Sequence, residues 1–335
     1  MRTTFLEWKQ RLSRSAAAVA MAVVPGVAAA HVDYAVLFSG GWDADNNASR
    51  YYDQTLRMWN ILTGTLGFNP TNIYVLFADG TYTGQDQCIG YAQNPDGTWS
   101  CNAHKDSDWS TVVAANTSVL MGTPGKLHDV LGFLDTAMTT DDSFYFWSFD
   151  HGAIDPNRTD PNDVKLVGWG GNIEDDQLAL WVEPFDVKAE IYAFAQCYSG
   201  GMVDDLDLAA NPNRFAAWAA SGCEPSLGYG WADAWASGIE AGYRMSRDIG
   251  RYAADNDIYG PFGAACQANP ANCESPGYDG ANIHIVTNEI PEPAALSLSA
   301  LGLATLAGIR RRMRRARGVP ASPLPAGQTP AHICP

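Results

Sequence analysis

Glu190-Ile-Tyr-Ala-Phe-Ala-Gln-Cys-Tyr-Ser-Gly-Gly201 is a run of apolar and aromatic residues that stops at a thiol and a small-residue turn. Such a run reads as a buried strand that delivers Cys197 to the edge of a sheet. A second stretch repeats the design: Ser143-Phe-Tyr-Phe-Trp-Ser-Phe149 is aromatic throughout and ends on Asp150-His151-Gly152. Two neighbouring strands with these endings put a base beside a nucleophile.

Working outward, Tyr34 to Phe38 is a short apolar strand ending at Ser39-Gly40-Gly41, and Asn72 to Phe77 is another ending at Ala78-Asp79-Gly80. Arg214 to Ala220 and Asn282 to Val286 supply two more. Helical spacing lies between them. Tyr52, Leu56, Trp59, Ile61 and Leu62 form a broad apolar face; Thr123 caps and Pro124 opens a helix with Leu127, Leu131 and Leu134 in register. A short helix is expected over Asp175–Trp181 and a long one from Trp231 to about Ala254. Strands alternating with helices predict an α/β fold, with a mostly parallel sheet covered on both faces. The loops after Phe38, Phe77, Phe149 and Gln196 then share the carboxyl edge, where such sheets place their sites.

Hydrophobic residues make up 46% of the 335, enough for a substantial core. Net charge is −16, and residues 33–289 alone carry 35 acidic against 11 basic side chains. That balance argues against a nucleic-acid partner, which needs a basic face. The chain opens with Arg2, Lys9, Arg11 and Arg14, then an Ala-rich apolar run closing on Ala28-Ala29-Ala30. This is the layout of a secretory signal peptide over residues 1–30, cleaved before His31. At the other end Pro291-Glu292-Pro293 precedes residues 294–309, sixteen residues without charge, and six arginines follow by Arg317. The segment 289–317 resembles the PEP-CTERM sorting signal of bacterial surface proteins. The resemblance implies membrane contact through residues 294–309, then processing by an exosortase-type enzyme and a place at the cell surface or in extracellular matrix. A tail, 318–335, continues beyond the point where such signals usually stop.

Export permits disulfides. Of the seven cysteines, Cys88 and Cys101 bracket a turn-rich insert, and Cys266 and Cys273 bracket Asn269-Pro270. Both pairs are expected to close surface loops. Cys197 and Cys223 are left either paired or free, and a nucleophilic Cys197 must be free.

The chemistry follows from residue type. A thiol attacks as thiolate, and a nearby imidazole holds the proton and returns it to a leaving amine. The backbone N–H groups of Gly152 and Cys197 are candidate oxyanion donors. No metal or cofactor is expected: the Asp155–Asp163 loop lacks ordered calcium spacing and reads as Asx-Pro turns, and Gly168-Trp-Gly-Gly171 lacks the lysine of a phosphate loop.

Asp150-His151-Gly152 and Gln196-Cys197-Tyr198-Ser199-Gly200, each after an aromatic strand, resemble the legumain family of cysteine peptidases, in the wider caspase-like group. Tyr34–Gly41, Asn46-Asn47, Arg50 and Asn72–Asp79 match as well, so the likeness runs from about Ala35 to Glu240. It implies a caspase-like αβα sandwich over residues 31–288, with His151 and Cys197 as the catalytic dyad. Asn46 or Asn47 would support the histidine, and Asn47 is preferred. Arg50, Ser226 and Asp233 would form a pocket for the residue before the scissile bond, Asn or Asp, in a peptide or protein substrate. The family's glutamate two residues before the nucleophile is Ala195 here, and a guanidinium without that counter-charge is expected to favour an acidic residue. The alternatives are transpeptidation by the same dyad, or a surface or biofilm-matrix protein whose dyad is vestigial.

Overall fold

The period-two alternation of the strands is what divides the core. In the structure, a computed structural model, residues 31–285 are described apart from 155–157, 159 and 161. The signal peptide, the sorting segment, its membrane contact and the tail fall outside the described residues. The strands are β1 (Asp33–Ser39), β2 (Ile73–Phe77), β3 (Gln87–Gln93), β4 (Trp99–Lys105), β5 (Ser118–Leu120), β6 (Ser143–Ser148), β7 (Gly152–Ile154), β8 (Val164–Gly168), β9 (Gly171–Glu174), β10 (Ala189–Phe194), β11 (Arg214–Trp218) and β12 (Gly277–Gly280). Seven form the central sheet in the order β12-β11-β10-β6-β1-β2-β5. Every pairing is parallel except β11 with β12.

Ala35 and Leu37, Tyr145 and Trp147, Ile191 and Ala193 turn to one core, which also holds Tyr51, Trp59, Trp231, Trp235 and Ile249. The residues between them, Val36 and Phe38, Phe144 and Phe146, Tyr192 and Phe194, turn to a second core with Leu127, Leu131 and Leu178. Helices Ser49–Asn60, Gly230–Glu240 and Ser246–Asn256 thus cover one face, and Pro124–Ala137 and Asp175–Val182 the other. The architecture is an αβα sandwich. The order reverses beside β1, because β2 lies on one side and β6 on the other, and this opens a crevice at the carboxyl ends.

Two local expectations need correction. The long helix from Trp231 is two helices. Gly242 takes φ 99°, its N–H reaches Ile239 O, and Tyr243 N–H reaches Gly238 O; this left-handed glycine closure ends a helix. The strand expected over 282–286 does not form among the described residues. The edge strand is β12, and Gly280 at φ 94° ends it. The chain beyond bonds instead to the next helix start, with Ile283 N–H on Ser246 Oγ at 2.9 Å. The insert bracketed by Cys88 and Cys101 is a β-hairpin, β3 with β4.

The amino ends of β10 and β11 are joined by a buried ion pair. Arg214 donates to both oxygens of Glu190, at 2.9 and 3.1 Å, and to Leu206 O at 2.6 Å. Tyr192 Oη also donates to Glu190, at 2.6 Å. Such a pair is costly to break from one side, because the partner charge stays buried. Arg214→Ala is therefore expected to lower the unfolding free energy by about 3–5 kcal/mol, read from the urea midpoint at unchanged slope.

Candidate active site

β6 and β10 are neighbours in parallel register, with Ser148 opposite Phe194. Pairing runs past the last strand residues: Ala195 N–H donates to Ser148 O at 2.9 Å, and Ser148 Oγ to Gln196 Oε1 at 2.7 Å. Asp150-His151-Gly152 and Cys197 therefore leave the same edge side by side. Tyr198 comes next at φ 58°. Ser199 Oγ then accepts the Ala219 and Ala220 N–H groups at 3.1 and 3.0 Å, which pins the turn to the end of β11.

The histidine stands on a buried carboxylate. Asp150 accepts N–H groups from Gly41 and from His151, the latter at 2.6 Å. Burial raises the Asp150 pKa, while the His151 charge and these N–H bonds pull it down. His151 Nε2 lies 3.0 Å from Asn46 O. A carbonyl oxygen only accepts, so Nε2 carries the hydrogen and Nδ1 is left as the basic nitrogen. The Tyr51 ring meets the imidazole edge-on at 5.2 Å between centroids, with its hydroxyl 3.3 Å from Nε2 and 3.4 Å from Nδ1. Arg50 donates to that hydroxyl at 3.1 Å.

Gly152 allows the closest contact of the site. A Cβ at that position would sit 1.8 Å from Cys197 O. Burial pushes the Cys197 thiol up, backbone bonds from Ser226 and Gly152 pull it part of the way down, and the Glu274 charge adds to the rise; in its neutral form Sγ–H donates to Ser226 O at 3.5 Å. Cys197 is the free cysteine among the described residues. Cys88 is joined to Cys101, and Cys266 to Cys273, with Cα–Cα distances of 5.8 and 4.4 Å.

A cleft of about 470 Å³ opens between these loops, lined by Arg50, Tyr51, His151, Cys197, Ser226 and Tyr229 among others. Ala195 lies on its wall. Two residues expected here sit elsewhere. Asn47 is buried under the Gly41 turn, where its Nδ2 donates to Asp86 O at 2.7 Å; it anchors the β3 hairpin, and Asn46 serves the histidine through its backbone. Asp233 is an ion-pair partner of Arg57, which also holds Glu240 at 2.7 Å. Arg57, nearly two turns further along helix Ser49–Asn60 than Arg50, holds it away from the cleft. Sequence reasoning missed Tyr51 and Glu274. Tyr51 carried a weak signal as the neighbour of Arg50, whereas Glu274 carried none, being far along the chain. Asp175, Asp204 and Asp205 bring carboxylate oxygens within 4.8 Å of one another, a spacing a hard cation can bridge; none of the three lines the cleft.

No family profile matches the sequence, and no curated protein does. Among solved structures the chain is similar to protein GSU0716 from Geobacter sulfurreducens, at 11% identity and a TM-score of 0.41, over 75% of this chain and 94% of that one.

Two measurements check the geometry. Gly152→Ala is expected to cost about 1–3 kcal/mol of stability through overpacking. Gly132→Ala, on a helix with open space around it, should gain about 0.5–1 kcal/mol. Urea titration of both tests the contrast, and equal effects would contradict the crowding at Gly152. Iodoacetamide alkylation of Cys197 should rise with pH to a midpoint above the free-cysteine value of about 8.5, because burial favours the neutral thiol.

Proposed function

We propose that this protein is an exported cysteine endopeptidase of legumain-like type, with a caspase-like peptidase domain over residues 31–288. The observation that carries the reading is the meeting of a free, cleft-facing Cys197 with His151, whose Nδ1 is left basic by the Asn46 bond.

His151 Nδ1 takes the proton of Cys197, and Sγ bonds to the carbonyl carbon before the scissile bond. The carbonyl oxygen becomes an oxyanion in reach of the Gly152 and Cys197 N–H groups. Collapse breaks the C–N bond, and the amine leaves with the proton from Nδ1. Water then adds to the thioester, giving its proton to His151, and frees Cys197 and the new carboxyl end. Asp150 holds the His151 backbone, and Tyr51 packs against the imidazole, through both transfers. Because the half-buried thiol is held in its neutral form, proton transfer belongs to the attack itself rather than preceding it.

Arg50 and Ser226 supply the side-chain pocket. Among the described residues Arg50 makes no ion pair, so its guanidinium is available to an Asn carbonyl or an Asp carboxylate. Export would follow from residues 1–30. Residues 294–309 would hold the chain at the membrane until an exosortase-type enzyme acts, leaving the domain at the bacterial surface or in extracellular matrix. The disulfides Cys88–Cys101 and Cys266–Cys273 suit that oxidising setting. None of the described helices is long and apolar enough to cross a membrane. The acidic surface speaks against nucleic acid.

The test is a peptide library varied before the scissile bond, incubated with the oxidised protein and read by mass spectrometry. Cys197→Ala should abolish cleavage, and His151→Ala should lower it about 10²–10⁴-fold. Arg50→Met should lower kcat/KM for Asn or Asp peptides by roughly 10–100-fold, as loss of a charged hydrogen bond does. Peptides joined end to end would identify a transpeptidase instead. Folded protein with a titratable Cys197 and no turnover would identify a surface protein with a vestigial dyad.

A further inference from the structure

The segment clipped by the Cys266–Cys273 disulfide is cross-tied to the wall of the cleft by two carboxylates. Glu274 accepts the Leu227 N–H and, at 3.3 Å, the Ser226 hydroxyl. In the other direction Glu224, on the wall, accepts the Ser275 N–H and the Ser221 N–H. Glu274 is only 2% exposed. Its own N–H donates at 2.8 Å to Tyr259 O, whose ring lines the cleft. The wall held in this way is the one Cys197 leans on, since Sγ–H points to Ser226 O.

We propose that Glu274 is a positioning residue for Cys197, reaching it through the Ser226–Leu227 wall from the disulfide-clipped segment. This rests on Cys197 being the reactive group of the site. Its carboxylate comes from a distant part of the chain and stands behind the wall rather than in the pocket. When Ser226 gives its one hydroxyl proton to Glu274, its oxygen turns lone pairs outward as an acceptor. Glu274 also acts through charge. Burial, then the Asp257 charge, push its own pKa up to about 8; Leu227 and Ser226 pull it down, and Glu224 adds to the rise. His151, Arg50 and Asp150 line the other side of the cleft. Where Glu274 is ionised, its negative charge raises the Cys197 pKa further and resists the ionisation of the thiol.

The experiment is the pH profile of iodoacetamide alkylation on the full, oxidised chain, with Cys197→Ala subtracted as background. Glu274→Gln keeps the shape and the acceptor for Leu227 but removes the charge. It should lower the midpoint by about one pH unit, the scale of one neighbouring charge. The native profile should be flatter than a single titration, since two coupled groups ionise in turn. An unchanged midpoint in folded Glu274→Gln overturns the proposal. So does a native profile that fits one group, which settles the matter even where the variant does not fold. Alkylation needs no peptide turnover. A shifted midpoint without any cleavage would keep Glu274 in its role and remove the peptidase, and cleavage with an unshifted midpoint would do the reverse.

Discussion

Everything at the carboxyl edge depends on how closely two backbones approach. β6 and β10 are hydrogen-bonded neighbours, so the segments leaving Ser148 and Phe194 must share one strand spacing. Glycine at 152 is what makes that sharing possible, because any Cβ would strike the Cys197 carbonyl. The histidine and the thiol are therefore brought together by sheet register and by a missing side chain. No side-chain attraction is needed to hold them. Register is rigid, and a site built on it keeps its geometry without help from the substrate.

The two ends of the sheet are made differently. At the amino end, charges are matched: Arg214, Glu190 and Tyr192 satisfy one another and the nearby carbonyls. At the carboxyl end, local rules are broken. Trp42, Ala78 and Tyr198 take positive φ just after β1, β2 and β10. Asn47 Oδ1 and Gln196 Nε2 are buried without a partner among the described residues. Strain of this kind costs on the order of 1–3 kcal/mol per residue, and it gathers where function needs it.

The parallel sheet was legible because its strands are unbroken aromatic and aliphatic runs, and a run buried on both faces leaves a plain mark. His151, Gly152 and Cys197 were legible because each comes directly after such a run. The rest was hidden for physical reasons. Whether Asn46 or Asn47 meets the histidine turns on one peptide's orientation in the Asp43–Ala48 turn, and both residues are asparagine. Asp233 had the right charge, but Arg57 stands nearly two helical turns from Arg50 and takes it. Gly242 was read as part of a helix because composition does not reveal the sign of φ. Glu274 lies 77 positions beyond the thiol that it serves, and no local pattern points across that distance.

The late place of Glu274 in the chain bears on the order of assembly. A chain made from its amino end delivers His151 first, Cys197 next, the Ser226 wall after that, and the clipped segment near the end. Until residues 266 to 275 have emerged, the wall lacks its bonds to Glu274. The segment that braces the wall is clipped by the Cys266–Cys273 disulfide, which a reducing compartment does not readily form. A nascent chain carries His151 and Cys197 before it carries the segment that braces the wall beside them. Completion of that wall thus waits on the far end of the domain.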